Sequence, residues 1–504
     1  MKTQSTHQTK WKAWGNLLLP IFIALLFLVF TFSYYPFRER FQFDTDEGLN
    51  LMRSMLVALG HPLYSEVSSD QPPFFTHILA LLMRIVGFEV NPARLLVLLF
   101  STLLVWSGAQ ILQLTWGKLA AIVFLPLIIM APEYLRLSIS VMIGLPSIAL
   151  AAVSMLFVVL WHQQKNNLWL VLSGCVLALS VLTKLFTGSL VPVFIVGMTA
   201  SMYFHERDKI ISWKILQPAL IWSISFASLT ALLGLALVGP QNILSIIVPH
   251  ATAPTIDWLQ GPGYSINTRL QEAVPLLLLA ALGALLSIYK RNWITLYPLA
   301  WSIVAYTLFS FYSPVFYHHQ LLVTVPATLL AAAAVGDGIG SLLRLMRSFD
   351  LFQLQTLLGI GALIGFIGVS IHYMPVLDQQ LMNRPRFTDF SLKISPARSR
   401  VIRTMNEYAD QTNWIVTDLP MHAFRVQRPV PPILATFSSK RLATGSLTEE
   451  DILTAMREYQ PEQVLMARFE IPALNAYLQE HYTLILSVEY FRLYLRNDIQ
   501  QVSH

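Results

Sequence analysis

The stretch FQFDTDEGLN, residues 41–50, sets Asp44, Asp46 and Glu47 within four positions, directly after the first long apolar run of the chain. What such a cluster means depends on the solvent around it. Of 504 residues, 55% are hydrophobic and only 12% are charged, against about a quarter charged in soluble domains. Most of the chain therefore faces a bilayer, and the acids stand at its edge. The single cysteine, Cys175, lies inside an apolar run, so neither a disulfide framework nor a cysteine-ligated metal site is available. The formal charge of +6 fits basic loops on the cytoplasmic side of a membrane protein. No nucleic-acid partner is expected.

Outward from the acids, apolar runs near the ~20 residues needed to span hydrocarbon lie at 14–34, 91–115, 140–161, 168–183, 185–204, 213–238, 273–289, 293–312, 318–336 and 355–373. Shorter runs lie at 72–88 and 119–132. The first run follows Lys2, Lys10 and Lys12 without a small-residue cleavage site, and reads as a retained span. Basic residues place the N-terminus, HQQKNN at 162–167, HERDK at 205–209, YKRN at 289–292 and RLMRS at 344–348 on the cytoplasmic side. The segments 36–71, the turn near Lys184, 239–272 and 311–318 then lie outside, as does everything after the last span. About 11–13 spans are expected. Between residues 72 and 139 the crossings must be even in number, yet three apolar stretches occur there, so one of them is re-entrant or a break is misplaced.

After Ile371 charges, prolines and short alternating segments return. SPARSRVIRTMNEYAD (395–410) reads as a helix opened by Ser-Pro, WIVTD (414–418) as a strand, and LTEEDILTAMREY (447–459) as a helix with Thr448 as N-cap. QVLMA (463–467) and the pair around YTLILSVEYFRLYLRN (482–497) complete a small α/β domain. The division is thus a transmembrane domain over 1–373 and an extracytoplasmic α/β domain over 374–504. No Gly-rich phosphate loop is present in the latter.

The acids admit three readings: the solvated start of a loop, a metal cluster, or a catalytic carboxylate at the membrane surface. Hard cations take carboxylate oxygens, but DTDEG lacks the spacing of a calcium loop. The longer string DTDEGLNLMRSMLVALGHPLYSEVSSDQPPFFTHILALL (44–82) weighs for the third. It resembles the first outside loop of the GT-C glycosyltransferases that use a polyprenyl-phosphate sugar, the protein O-mannosyltransferase-like and aminoarabinose-transferase-like family. LTKLFTGSLVPV (182–193) looks like that family's Thr-Lys turn, FYHHQLLVTVPATLLA (316–331) resembles its His-containing segment, and VTDLP, RPVPPIL and LTEEDI are similar to its small outside domain.

The resemblance implies an α-helical polytopic GT-C enzyme in which a hydroxyl attacks the anomeric carbon of a lipid-linked sugar with inversion. Asp46 would accept the hydroxyl's proton, and Glu47 would orient the acceptor or Asp46; Asp44 lies outside the matched pair. Lys184 is the first choice for the leaving phosphate, since a lysine between apolar spans must reach water or an anion; its alternative is snorkelling to the interface. His318 and His319 are further donor contacts or else interfacial polar residues, Arg53 is a donor contact if its helix lies along the surface, and Arg38 and Arg40 are expected at lipid headgroups.

Two departures bear on the site. Gln71 stands where aminoarabinose-transferase-like members have a lysine, making that contact neutral. RLSISVMIGLPSIAL (136–150) carries no acid where many members have one, Gly144 or Pro146 occupying the place. Asp70 would then supply a second acid, or else act as a turn acceptor before Pro72. The loop 239–272 either covers the site with His250, Asp257 and Trp258 or is an interfacial connector held by Trp258 and Tyr264.

The expected protein is a multi-pass enzyme of a bacterial plasma membrane. It would move a monosaccharide from a polyprenyl-phosphate donor to a lipid, glycan or protein hydroxyl, with membrane lipids as its surroundings. No cofactor is required by the sequence, and a divalent metal stays open. A flippase or transporter of lipid-linked sugars is the competing class, which would show internal repeats and broken mid-membrane helices. A lipid-diphosphate-dependent polymerase or ligase is the nearer competitor, and would need more cations than Lys184 and its neighbours provide.

Overall fold

The computed structural model describes residues 4–38, 40–205, 213–252, 261–348, 354–381 and 395–499. Its helices run as α1 (Gln4–Tyr34), α2 (Thr45–Leu59), α3 (Phe74–Val86), α4 (Val90–Thr115), α5 (Lys118–Met130), α6 (Tyr134–Leu137), α7 (Gly144–Gln164) and α8 (Leu168–Val181). Then come α9 (Val191–His205), α10 (Trp213–Leu237), α11 (Ile243–Thr252), α12 (Ile266–Leu270), α13 (Val274–Tyr289), α14 (Leu296–Phe311), α15 (Leu321–Ser348) and α16 (Leu354–Leu381). The C-terminal part holds α17 (Pro396–Glu407), β1 (Ile415–Thr417), α18 (Pro420–Arg425), α19 (Ser439–Ala443), α20 (Glu449–Tyr459), β2 (Gln463–Met466), α21 (Pro472–His481), β3 (Tyr482–Val488) and β4 (Phe491–Arg496).

Among the described residues, eight segments are long and apolar enough to cross a membrane, and Leu18–Tyr34, Phe74–Val86, Lys118–Met130 and Leu168–Val181 are shorter apolar helices. The protein is an integral membrane protein. The parity problem between residues 72 and 139 is resolved by α3. Its 13 residues span about 20 Å, and both of its ends lie on the same face of the bundle. The Phe74 amide donates to the Leu182 carbonyl at 3.0 Å, and Glu89, just past the other end, accepts from Gln427 of the C-terminal domain at 3.4 Å. The two remaining helices, α4 and α5, run away from that face and back. Without α3, eleven apolar segments remain among the described residues.

The centre of the bundle is α15. Its run Ala331–Ala334 is at most 1% exposed, because methyl-sized side chains let α5, α13 and α16 approach closely, as packing in lipid requires. This last span, α16, continues to Leu381, past residue 373, the boundary expected from sequence.

Beyond it stands a four-stranded sheet in the order β1-β2-β4-β3. The β1–β2 pair is parallel, with Val416 opposite Val464, and the two later pairings are antiparallel, with Val464 opposite Tyr494 and Val488 opposite Phe491. The expected helices and strands are present, and Thr448 caps α20 in a reciprocal box with Asp451. Such a box satisfies two amides at the helix start. This domain seats directly on α2: a Cβ on Gly48 would lie 2.7 Å from the Met421 amide nitrogen, so only glycine allows the approach. Arg425 Nη2 donates to the carbonyls of Arg40 (3.1 Å) and Phe41 (2.7 Å), and Thr436 Oγ1 donates to the Ser68 carbonyl at 2.9 Å.

Candidate active site

Asp44 ends the loop after α1 in extended backbone and caps α2, its Oδ1 accepting from the Asp46 amide at 2.8 Å. Aspartate suits an N-cap because its short side chain reaches the free amides of the first turn. The second oxygen of Asp44 accepts from the Tyr317 hydroxyl at 2.6 Å. Consecutive helical residues point about 100° apart, so Asp46 and Glu47 cannot share a direction. Asp46 faces a cleft of about 350 Å³; Glu47 faces the protein interior.

That orientation corrects the expectation that Glu47 meets a substrate. It is 0% exposed, and both carboxylate oxygens are taken. Oε1 accepts from Arg94 Nε (2.9 Å) and the Val141 amide (3.2 Å), Oε2 from Arg94 Nη2 (2.9 Å) and the Phe43 amide (2.8 Å). Arg94, equally buried, extends Nη1 to the carbonyls of Phe37 (2.7 Å) and Arg40 (3.0 Å). The bidentate pair thus pins the loop 37–43 and the turn at Val141, the two segments that frame Asp46. Glu47 is a positioning residue. Arg40, expected at lipid headgroups, is also buried, its backbone carbonyl serving as acceptor for Arg94 and Arg425.

The cleft lies between the bundle and the C-terminal domain. On the bundle side its walls include Asp44, Asp46, Arg53, Asp70, Gln71 and Lys184. Gly144, Tyr312, Tyr317, His318 and His319 line it further, and Ser438, Lys440 and Arg468 close it from the C-terminal domain. Asp46, Arg53, Asp70, Gln71, Lys184, His318 and His319, expected in the site from sequence, are therefore gathered here, from segments over 200 positions apart.

Their engagements differ. Asp70 sits between two cations, Arg53 Nη1 at 3.7 Å and Lys440 Nζ at 3.3 Å. Arg53 is further held by Ser69 Oγ (3.1 Å) and Asn50 Oδ1 (2.5 Å), which makes it a brace for the 69–71 turn more than a free donor contact. Gln71 accepts from the Tyr64 hydroxyl through its backbone carbonyl at 2.7 Å. His319 is buried, its ring stacked on Phe309 at 5.1 Å and its Nδ1 accepting from the Phe316 amide at 3.1 Å. His318 Nδ1 has no hydrogen-bond partner among the described residues. Lys184 has no carboxylate within ion-pair distance among the described residues, and its ammonium lies 5.6 Å from the centre of the Phe186 ring.

Burial disfavours both charges that face each other here. The Asp46 carboxyl is pushed up to about 7, first by burial and then by the neighbouring Asp44 charge, with Arg53 and Lys184 opposing. Burial brings the Lys184 ammonium down to about 8, with Asp46 and Asp70 opposing. Near neutral pH the site thus holds a carboxylate able to take a proton and a cation still largely charged. A Cβ on Gly144 would lie 3.6 Å from Lys184 Nζ. Gly144, one of the two residues that occupy the place expected from the resemblance to carry an acid, thus lines the cleft beside the lysine.

Comparisons with known proteins bear on the fold that carries this cleft. The chain superposes on the crystal structure of ArnT from Cupriavidus metallidurans bound to undecaprenyl phosphate, with a TM-score of 0.59 and 13% identity, over 95% of this chain and 98% of that one. The fold is that of the GT-C glycosyltransferases. Within that GT-C group the archaeal oligosaccharyltransferase AglB from Archaeoglobus fulgidus, in complex with an inhibitory peptide and a dolichol-phosphate, matches with a TM-score of 0.55 and 12% identity, covering 91% of this chain and 70% of that one. Residues 70–240 match the family described as dolichyl-phosphate-mannose-protein mannosyltransferase. No curated protein sequence matches the chain.

Arg94, Tyr317, Arg136, Lys440 and Arg468 were not singled out from sequence. Arg136 Nη2 donates to the Phe43 carbonyl (2.5 Å) and the Tyr317 hydroxyl (3.3 Å), steadying the same turn from beneath. A charged residue four positions into an apolar run, as Arg94 is, was the available signal, since such a group inside a membrane protein needs a partner. The expected sugar contacts Asp257 and Trp258, and the side chain of His250, lie outside the described residues.

Proposed function

We propose that this protein is an inverting glycosyltransferase that moves a monosaccharide from a polyprenyl phosphate to an acceptor hydroxyl on the extracytoplasmic side of a bacterial plasma membrane. The observation that carries the reading is one cleft, at the junction of the bundle and the outer domain, lined by both Asp46 and Lys184, the latter with no carboxylate within ion-pair distance among the described residues. Its chemistry is direct. The acceptor oxygen attacks the anomeric carbon, its proton passes to the Asp46 carboxylate, and the bond from that carbon to the phosphate oxygen breaks with its electron pair leaving on phosphate. Lys184 stabilises the charge that develops there, with the unpartnered His318 nitrogen as a further polar contact. Asp44 and Tyr317 fix the turn that aims Asp46.

The structural relatives, solved with undecaprenyl phosphate and with dolichol-phosphate, support a lipid-phosphate donor of this kind. The C-terminal domain adds Lys440 and Arg468 to the cleft, which lends weight to a lipid diphosphate. But Asp70 already engages Arg53 and Lys440, so the cation count favours one phosphate. Among the described residues no group of three or more His, Cys, Asp or Glu is placed to hold a metal ion. Magnesium is commonly held by one or two carboxylates plus substrate phosphates, so the assay includes a divalent-metal arm.

The test is release of free polyprenyl phosphate from a panel of lipid-phosphate and lipid-diphosphate sugars, with a membrane extract as acceptor source. Wild type is compared with Asp46→Asn and Lys184→Met. Loss of about 10²–10⁴-fold in Asp46→Asn, with the fold retained, supports the proposal. Intact lipid moved across vesicle bilayers without any sugar release would replace it with transport.

A further inference from the structure

A second cavity, of about 850 Å³, opens at the other end of the bundle. Gly144 and Tyr312, at the starts of α7 and after α14, line the catalytic cleft, whereas Lys165 and Arg291, beyond the opposite ends of those helices, line this one. The 21 residues of α7 measure about 30 Å, one hydrocarbon thickness. The two cavities therefore face opposite leaflets.

The groove is built from α9 and α14. Pro192, Val196 and Ala200 form one wall, Leu296, Ala300 and Val304 the other, and Trp293 closes the end. Its floor is fixed where the helices touch: a Cβ on Gly197 would lie 2.4 Å from the Tyr297 ring. Tyr297 also contacts His162 Nε2 through its hydroxyl at 3.2 Å, and Ser201 Oγ reaches His162 Nδ1 at 3.2 Å. The polar floor is thereby satisfied from within, leaving apolar walls for a hydrocarbon chain. At the mouth stand two exposed cations, Lys165, whose ammonium lies over Trp161 at 4.9 Å, and Arg291. Neither is ion-paired to a carboxylate among the described residues, in contrast to the adjacent Lys290, which is bonded to Asp337.

We infer that this groove binds a lipid with an anionic phosphate headgroup in the leaflet opposite the catalytic cleft, its chain between α9 and α14 and its phosphate between Lys165 and Arg291. An apolar slot alone would accept any lipid. The paired cations at its mouth select charge, since basic residues near a membrane surface each attract anionic lipid by about a fivefold gain in affinity. The headgroup chemistry is shared by anionic phospholipids and by polyprenyl phosphates, and the inference holds whichever occupies it. It stands independently of the catalytic proposal.

The test uses the full-length protein in detergent, with lipid binding read by native mass spectrometry for phosphatidylglycerol, undecaprenyl phosphate and phosphatidylcholine. The variants are Lys165→Gln/Arg291→Gln, which removes the charge, and Ala200→Trp, which fills the groove. Size-exclusion profiles and the release assay at the distant cleft serve as controls for folding. Anionic lipid is expected to bind wild type in preference to phosphatidylcholine, to weaken tenfold or more in the double variant, and to be lost in Ala200→Trp. The tighter of the two anionic lipids identifies the natural class. Equal retention of phosphatidylcholine, or anionic binding unchanged in both variants, overturns the inference.

Discussion

Replacing Glu47 by glutamine separates a residue that does chemistry from one that holds the chemistry in place. The substitution keeps shape but removes one charge from a pair in which both partners are 0% exposed. Each oxygen of Glu47 accepts two donors, so the new amide nitrogen must face a pair of N–H groups and loses both hydrogen bonds. Removing one partner of a buried ion pair costs about 3–5 kcal/mol. Arg94 keeps the Phe37 and Arg40 carbonyls, which places the expected loss near the lower end, about 3 kcal/mol. Measured as the apparent thermal midpoint of purified protein in detergent, Glu47→Gln should be clearly destabilised. Asp46→Asn, which loses no buried ion pair, should stay near wild type. Adding Arg94→Met to Glu47→Gln should recover part of the loss, because the orphaned charge is then gone. A Glu47→Gln protein as stable as wild type but without turnover would refute the reasoning and return Glu47 to the reaction itself.

The pH profile of kcat/KM should be bell-shaped. It rises as Asp46 loses its proton near pH 7 and falls as Lys184 loses its own above about 8. Asp44→Asn, which still caps α2 but removes the charge that helps raise Asp46, should move the acid limb to lower pH without shifting the alkaline limb. Gly144→Asp should place a carboxylate in reach of Lys184 Nζ and raise the KM for donor about tenfold, the scale of one partly buried charge interaction; an unchanged KM would remove Lys184 from phosphate binding. Arg468→Gln, at an exposed cleft residue, should change stability by less than about 0.5 kcal/mol while raising a substrate KM, and equal kinetics would confine the site to the bundle.

Much of this architecture was legible in the chain. Long apolar runs and alternating basic loops gave the bundle, and parity showed that one of three stretches between residues 72 and 139 is re-entrant or a break is misplaced, without saying which. The C-terminal strands and the Thr448 cap were visible because turn and cap chemistry is local. Lys184 could be named because a charge between apolar spans is costly unless used, whereas Asp46, Asp70, Gln71 and His318 were named through the family resemblance of the segments that carry them. What stayed hidden was direction. Asp46 and Glu47 are adjacent in sequence and alike in chemistry, and only the partner Arg94, 47 positions away, decides which of them faces the cleft. Lys440 and Arg468 were hidden for a related reason: they reach the site through the packing of Gly48 on Met421, a contact with no local signature.

The Arg425 bonds to the carbonyls of Arg40 and Phe41 span 385 and 384 residues of chain. On a ribosome the loop that carries Asp44 and Asp46 is among the first parts made, and the guanidinium that fastens it is among the last. During synthesis the acidic turn is held only from the bundle side, by Arg94 and Arg136, while its outer face waits for a domain still to come. Completion of the cleft is therefore timed by the C-terminal domain. A nascent or truncated chain can thread its helices into the membrane and still lack a closed cleft, because the wall that carries Lys440 and Arg468 is made last.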